Sequence, residues 1–321
     1  MISRRDLFPV AAAGMLAGYA GFKGGTAGRS ARLGNASVAI LKAASYSEDL
    51  VSRMLQGIRE LKLNPRGLKV LLKPNLVEFD PHTCINTDVA VVAAAYEVFK
   101  TLGASEVIIG EGPGHRRDTC ALAEMARYRG EIEQFDARFV DLNRDDVSPV
   151  IGFADRPEMY FPTTALRADL IVSLAKMKTH HWAGATLAMK NFFGLVPGNV
   201  YGWPKNELHH IGIDRSIFEL SRVFHHSFAI IDGIVGMEGN GPIQGSPKPA
   251  GVLVMGSDLP AVDATCCRIM GIDPGRLEYL RLASDRLGVT EEARIEQRGE
   301  TIRSVRTNFN LIQPFENYRL A

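Results

Sequence analysis

The feature that most constrains this chain is an alternation repeated along its length. Short, near-continuous apolar runs rich in Val, Ile and Leu are each followed by a segment with helical spacing. Residues 37–41, 69–72, 106–110, 139–142, 169–174, 228–232 and 252–256 read as strands. Residues 49–61, 87–102, 119–129, 213–224 and 261–270 place apolar side chains three and four apart, as a helix with one buried face does. Strands that are apolar throughout are buried on both faces. The pattern predicts an α/β fold: a mostly parallel sheet with helices on both faces and a ligand cleft at the carboxyl ends of the strands.

The N-terminus breaks this pattern. Arg4 and Arg5 precede Leu7, Phe8 and an Ala/Gly/Leu-rich stretch, which reads as a twin-arginine export signal over residues 1–30. No clean Ala-x-Ala site follows, so the segment is either cleaved or kept as an anchor. Residues 31–321 are then one α/β domain with its core at about 65–285, and 115–165 is a candidate smaller lobe. The expected location is outside the cytoplasm, in the periplasm or cell envelope, with the twin-arginine export machinery as a partner. No apolar run in the mature region nears the roughly 18 residues that span a membrane.

Composition narrows the function classes. A formal net charge of +1 over 321 residues argues against broad electrostatic binding of nucleic acid. Four cysteines, Cys84, Cys120, Cys266 and Cys267, form no C-x-x-C, so no iron–sulfur cluster is expected.

Polar residues gather just after the strands. Lys73-Pro74-Asn75 follows the second, and Glu111-Gly112-Pro113-Gly114-His115 the third. Lys176, Lys178 and His180 follow Leu174, Asp232 follows Ile231, and Asp258 follows Met255. In a parallel sheet these groups converge on one edge. Lys73, Asn75, Lys176, Lys178 and Asn191 then bind a small anionic molecule. Glu111, Asp232 and Asp258 balance the lysines or hold a divalent metal. Lys190 lies among Leu187, Met189, Phe192 and Phe193. A lysine buried in such company loses charge and becomes a nucleophile or base, with His180 beside it. In a regular strand His180 and His181 face opposite ways, so one of them serves packing or hydrogen bonding.

Lys176-x-Lys178-Thr179-His180, then Thr186-x-Ala188-x-Lys190-Asn191-x-x-Gly194, resembles the family called domain of unknown function 362. The likeness continues through Ile231-Asp232-Gly233, Glu238-Gly239-x-Gly241-Pro242 and Ala261-Val262-Asp263-Ala264. The resemblance implies a domain, not an activity. A second pattern, Gly114-His115-Arg116 followed by His180-x-x-Ala183-Gly184 and Lys190, is similar to the nickel-pincer lactate racemases. That resemblance implies Lys190 as the attachment point of a pincer cofactor, His115 and His180 as acid/base groups, and His209 or His210 as a metal ligand. Leu187-Ala188-Met189 replaces the glycine-rich run that precedes the lysine in that family. The sequence thus points to an exported enzyme acting on a small anion, by metal- or pincer-dependent isomerase or redox chemistry. The alternative is a non-catalytic carrier of a metal, cofactor or small anion.

Overall fold

The computed structural model describes residues 34–114 and 118–320, so the 1–30 signal segment lies outside the described residues. The strands are β1 (Ala36–Lys42), β2 (Lys69–Pro74), β3 (Glu106–Glu111), β4 (Phe139–Asp141), β5 (Val147–Phe153), β6 (Arg156–Pro162), β7 (Leu170–His180), β8 (Gly184–Thr186), β9 (Ser227–Asn240), β10 (Gln244–Gly256) and β11 (Ile295–Gly299). One sheet runs in the order β11-β1-β10-β9-β7-β2-β3-β4, with β8 added to β7. β10 is antiparallel to β1 and β9, and β8 is antiparallel to β7. The other pairings in this sheet are parallel.

Alternate strand residues feed two cores. Leu41, Leu72, Ile109, Val172 and Ile230 pack with the helices Leu50–Glu60 and Val89–Thr101. Ile40, Leu71, Ile171, Ile231 and Val254 pack on the other face with Ile213–Val223 and Leu259–Ile269. This two-sided burial is why the strands are apolar at successive positions. The helix starts follow local chemistry: Asp49, Asp88 and Asp258 each accept a first-turn backbone N–H.

The differences from expectation have physical causes. β7 and β9 continue well past Leu174 and Asp232, because Lys176 pairs in register with Asp232 and the strands run on side by side. Buried lysines made this extension read as loop. The expected helix 119–129 breaks at Arg127, which takes φ 66°. The break turns Tyr128 inward, where its hydroxyl donates to the Thr87 carbonyl at 3.0 Å. Within 115–165, β4 joins the main sheet, whereas β5 and β6 form a separate two-stranded sheet. Edge strand β11 lacks an apolar run and gave no strand signal. Among the described residues, no helix is long and apolar enough to cross a membrane.

Candidate functional site

At the carboxyl ends of β2, β3 and β7 lies a cavity of about 400 Å³. Its apolar wall includes Leu76, Val77, Trp182, Phe193 and Ile213, and four lysines reach it: Lys73, Lys178, Lys190 and Lys205. Glu111 is the only Asp or Glu among the described lining residues.

Lys73 and Glu111 form the floor. Lys73 Nζ donates to Glu111 Oε2 at 2.5 Å, to the Pro74 carbonyl at 2.9 Å and to Asn191 Oδ1 at 3.2 Å. Asn191 Nδ2 returns bonds to the Lys73 carbonyl at 3.0 Å and to Ser173 Oγ at 3.1 Å. Glu111 also accepts from the backbone N–H groups of Leu76 and Gly112. Burial pulls the Lys73 ammonium below the usual lysine range, against the opposing pull of Glu111. A methyl group at Gly194 would overlap both the Glu111 carboxylate and Lys73 Nζ, so this network requires glycine there.

Among the described residues, the other three cavity lysines have no carboxylate partner within ion-pair distance. Lys178 Nζ donates to the carbonyls of Ile85 at 2.8 Å and Pro242 at 3.3 Å. Lys205 Nζ donates to Gly112 O at 2.6 Å and Phe193 O at 2.9 Å. Lys190 has no acceptor among the described residues; its Nζ sits 3.4 Å from the centroid of the Phe193 ring. Burial lowers each of these three to about 7. Neighbouring lysines contribute to that lowering, Lys176 and Lys190 acting on Lys178 and Lys73 on Lys190. Asp214 pulls Lys190 the other way.

Lys190 is positioned from below. The turn Ala188–Asn191 begins with two backbone N–H groups donated to buried Asp263, from Ala188 at 2.8 Å and Met189 at 3.2 Å. Asp263 comes from the second turn of Leu259–Ile269, and burial raises its carboxyl to about 8.

The histidines behave differently from expectation. His180 and His181 both line the cavity, with ring centroids 5.0 Å apart and planes 21° apart. Strand alternation stops at His180, and the tight β7–β8 turn swings His181 to the same side. His180 Nδ1 accepts the backbone N–H groups of Trp182 at 3.0 Å and Ala183 at 3.2 Å. Its proton therefore sits on Nε2. Burial, then Lys190 and His181, push its pKa down to about 2. His180 is thus neutral, with its one proton on Nε2. His181 Nδ1 lies 2.7 Å from the Gly241 carbonyl and donates to it.

The predicted metal ligands do not assemble. Because β10 runs against its neighbours, its carboxyl end lies at the opposite edge of the sheet. Asp258 is therefore not at the cleft but caps Leu259–Ile269. Asp232 accepts from Lys176 Nζ at 2.8 Å and Tyr46 Oη at 3.0 Å, and this clamp includes none of the cavity-lining residues. Lys176 is accordingly a partner of Asp232 and does not line this cavity. His209 lines the cavity, whereas the side chain of His210 is 70% exposed and lies near Glu207. Among the described residues, no three His, Cys, Asp or Glu side chains come together to hold a metal. His115 lies outside the described residues.

Sequence reasoning assigned no site role to Lys205, His181, Trp182 or Tyr46, and showed Thr186 and Asp263 only as motif residues. Two orphaned atoms are the most telling of what the structure adds. Asn75 Oδ1 and Thr186 Oγ1 are buried, belong to cavity-lining residues and have no hydrogen-bond partner among the described residues. Buried polar atoms seldom stay unpaired without a ligand or water to meet them.

Comparison with known proteins places this architecture. The sequence model described as "Domain of unknown function (DUF362)" matches residues 70–268. A thylakoid-associated protein of Synechocystis sp. is 29% identical over 275 residues, covering 80% of this chain and 81% of that protein. The lactate racemase apoprotein of Thermoanaerobacterium thermosaccharolyticum aligns at 15% identity and TM-score 0.48, covering 74% of this chain and 57% of that one. A structural-genomics protein of Thermotoga maritima aligns at 14% identity and TM-score 0.37, covering 70% of this chain and 59% of that one. The matched span holds β2, β3, Lys190 and the Asp263 anchor, and the chain belongs to the DUF362 family.

Proposed function

We propose that the protein is an enzyme for a small organic anion, bound in the lysine-lined cavity with Lys190 as its reactive amine. The observation that carries this reading is the imbalance of four lysines, three of them buried and Lys190 half-buried, against one carboxylate among the described lining residues of a cavity of about 400 Å³. Burying ammonium groups costs free energy unless a counter-charge meets them, and Glu111 meets only Lys73. A ligand carboxylate or phosphate supplies the missing charge. Its apolar body rests on Trp182, Phe193 and Ile213, and its polar groups meet Asn75 Oδ1 and Thr186 Oγ1.

In this reading Lys178 and Lys205, each held by two backbone carbonyls, seat the anion. His180 donates from Nε2, and His181 offers the cavity a free imidazole nitrogen. Lys190 carries the chemistry because it is the lysine no acceptor restrains. Titration calorimetry of the full chain against small mono- and dicarboxylates and phosphate esters tests it. Saturable binding that weakens at least about tenfold in Lys178→Met supports the cavity assignment. Chemical change of the bound compound, lost in Lys190→Ala with the fold intact, separates an enzyme from a carrier.

Export belongs to the same proposal, supported by the Arg4-Arg5 pattern. Replacing both arginines by lysine and fractionating the cells tests it. The expected result is retention of the variant in the cytoplasm.

A further inference from the structure

The cavity distinguishes its lysines by what restrains them, and the distinction suggests a specific reaction. Lys73 is held by Glu111, and Lys178 and Lys205 are each held by two carbonyl oxygens. Among the described residues, Lys190 alone in this cavity rests on a ring face, 3.4 Å from the Phe193 centroid, with no oxygen to accept from it. An amine without an acceptor is free to turn its lone pair toward an electrophile. Its backbone is fixed by the two Asp263 bonds, so the nitrogen is presented from a rigid turn.

We propose that Lys190 condenses with the carbonyl group of an anionic aldehyde or ketone to form an imine. This inference rests on the anion-cavity reading, because Lys178 and Lys205 would hold the carboxylate or phosphate of the same molecule. The step balances without a redox partner. The Nζ lone pair attacks the carbonyl carbon, and the C=O π electrons move to oxygen. That oxygen takes up a proton as the nitrogen loses one, giving a carbinolamine. The nitrogen lone pair then forms the C=N bond as the C–O bond breaks, and the hydroxyl leaves as water with the remaining proton of the nitrogen. His180, with its proton on Nε2, is a donor within the same cavity, and Asn75 Oδ1 is an unpaired acceptor for the transient hydroxyl. Burial holds Lys190 at about 7, so near neutral pH a large fraction is free amine. The charged groups acting on it are Lys73, which lowers it further, and Asp214, which raises it.

The test is reductive trapping. The full chain is incubated with glyoxylate or with uncharged propanal, each with sodium cyanoborohydride, and the modified lysines are mapped by mass spectrometry. The expected result is an adduct at Lys190 forming at least about tenfold faster with glyoxylate than with propanal. Oxalate, which binds but cannot condense, should suppress that adduct and spare exposed lysines such as Lys62 and Lys69. Lys190→Arg should fold and show no site-specific label. If that variant fails to fold, oxalate protection of the wild-type chain gives the same discrimination. Labelling spread over exposed lysines, or no preference for glyoxylate, overturns the imine. Calorimetry with oxalate separates the two levels: binding without trapping removes the imine and leaves the cavity, and no binding removes the cavity reading as well.

Discussion

Lys176 and Lys178 stand two residues apart on β7, and both are fully buried, yet they belong to different regions. Lys176 faces Asp232, and Tyr46 from the segment after β1 bonds to both. Every charge in that clamp is met within the protein. Lys178 opens into the cavity with Lys190 and Lys205, where carbonyl oxygens and a ring face touch the amines and, among the described residues, no carboxylate comes within ion-pair distance. The difference teaches that a buried lysine is not by itself a functional sign. What marks function here is a buried lysine whose counter-charge the chain does not supply. A matched ion pair ties strands together, whereas an unmatched cation awaits a ligand.

The largest test of this contrast is stability. Asp232→Ala strands the Lys176 ammonium and should cost about 3–5 kcal/mol by chemical denaturation. Lys190→Met, of similar volume and uncharged, should leave stability within about 1 kcal/mol or raise it. Equal losses in the two variants would erase the distinction. A smaller effect is expected at the cavity floor: Gly194→Ala crowds Lys73 and Glu111 and should cost about 1–3 kcal/mol.

The finest test uses pH. The folded pKa of Lys190 is lowered from 10.5 to about 7, so between those values the unfolded chain binds the extra proton. Stability from this group therefore rises with pH across that window. Wild type minus Lys190→Met should show a positive slope in melting temperature from about pH 7 to about pH 10, absent if Lys190 keeps an ordinary pKa. A bound anion should flatten the slope, because it favours the charged amine.

Much of the sheet was legible because burial on both faces imposes apolar runs, and those runs mark β1, β2, β3, β7 and β9 directly. The direction of β10 was not. Val-Leu-Val-Met reads the same whichever way the strand runs, and that single reversal moved Asp258 to the far edge. Lys190 stood out because apolar residues surround it in sequence. Lys205 did not, because it lies in a polar loop and is buried by contacts with Phe193 and with Gly112, the latter far away in the chain. The state of His180 was equally out of reach: its role depends on two backbone amides in a turn whose shape no side-chain pattern announces. Asp263 was visible as a motif residue, but its bonds to Ala188 and Met189 span more than 70 positions.

The most direct measurement is proton-coupled calorimetry. The tightest-binding small anion is titrated into the full chain at about pH 8, in two buffers of different ionisation enthalpy. With Lys178, Lys190 and Lys205 held at about 7, they are mostly neutral under these conditions. Binding an anion among them should draw protons from the buffer, and the apparent enthalpy should change between buffers accordingly. Binding with no proton uptake, or no binding by any small carboxylate or phosphate ester, would contradict the assignment of this cavity as an anion site.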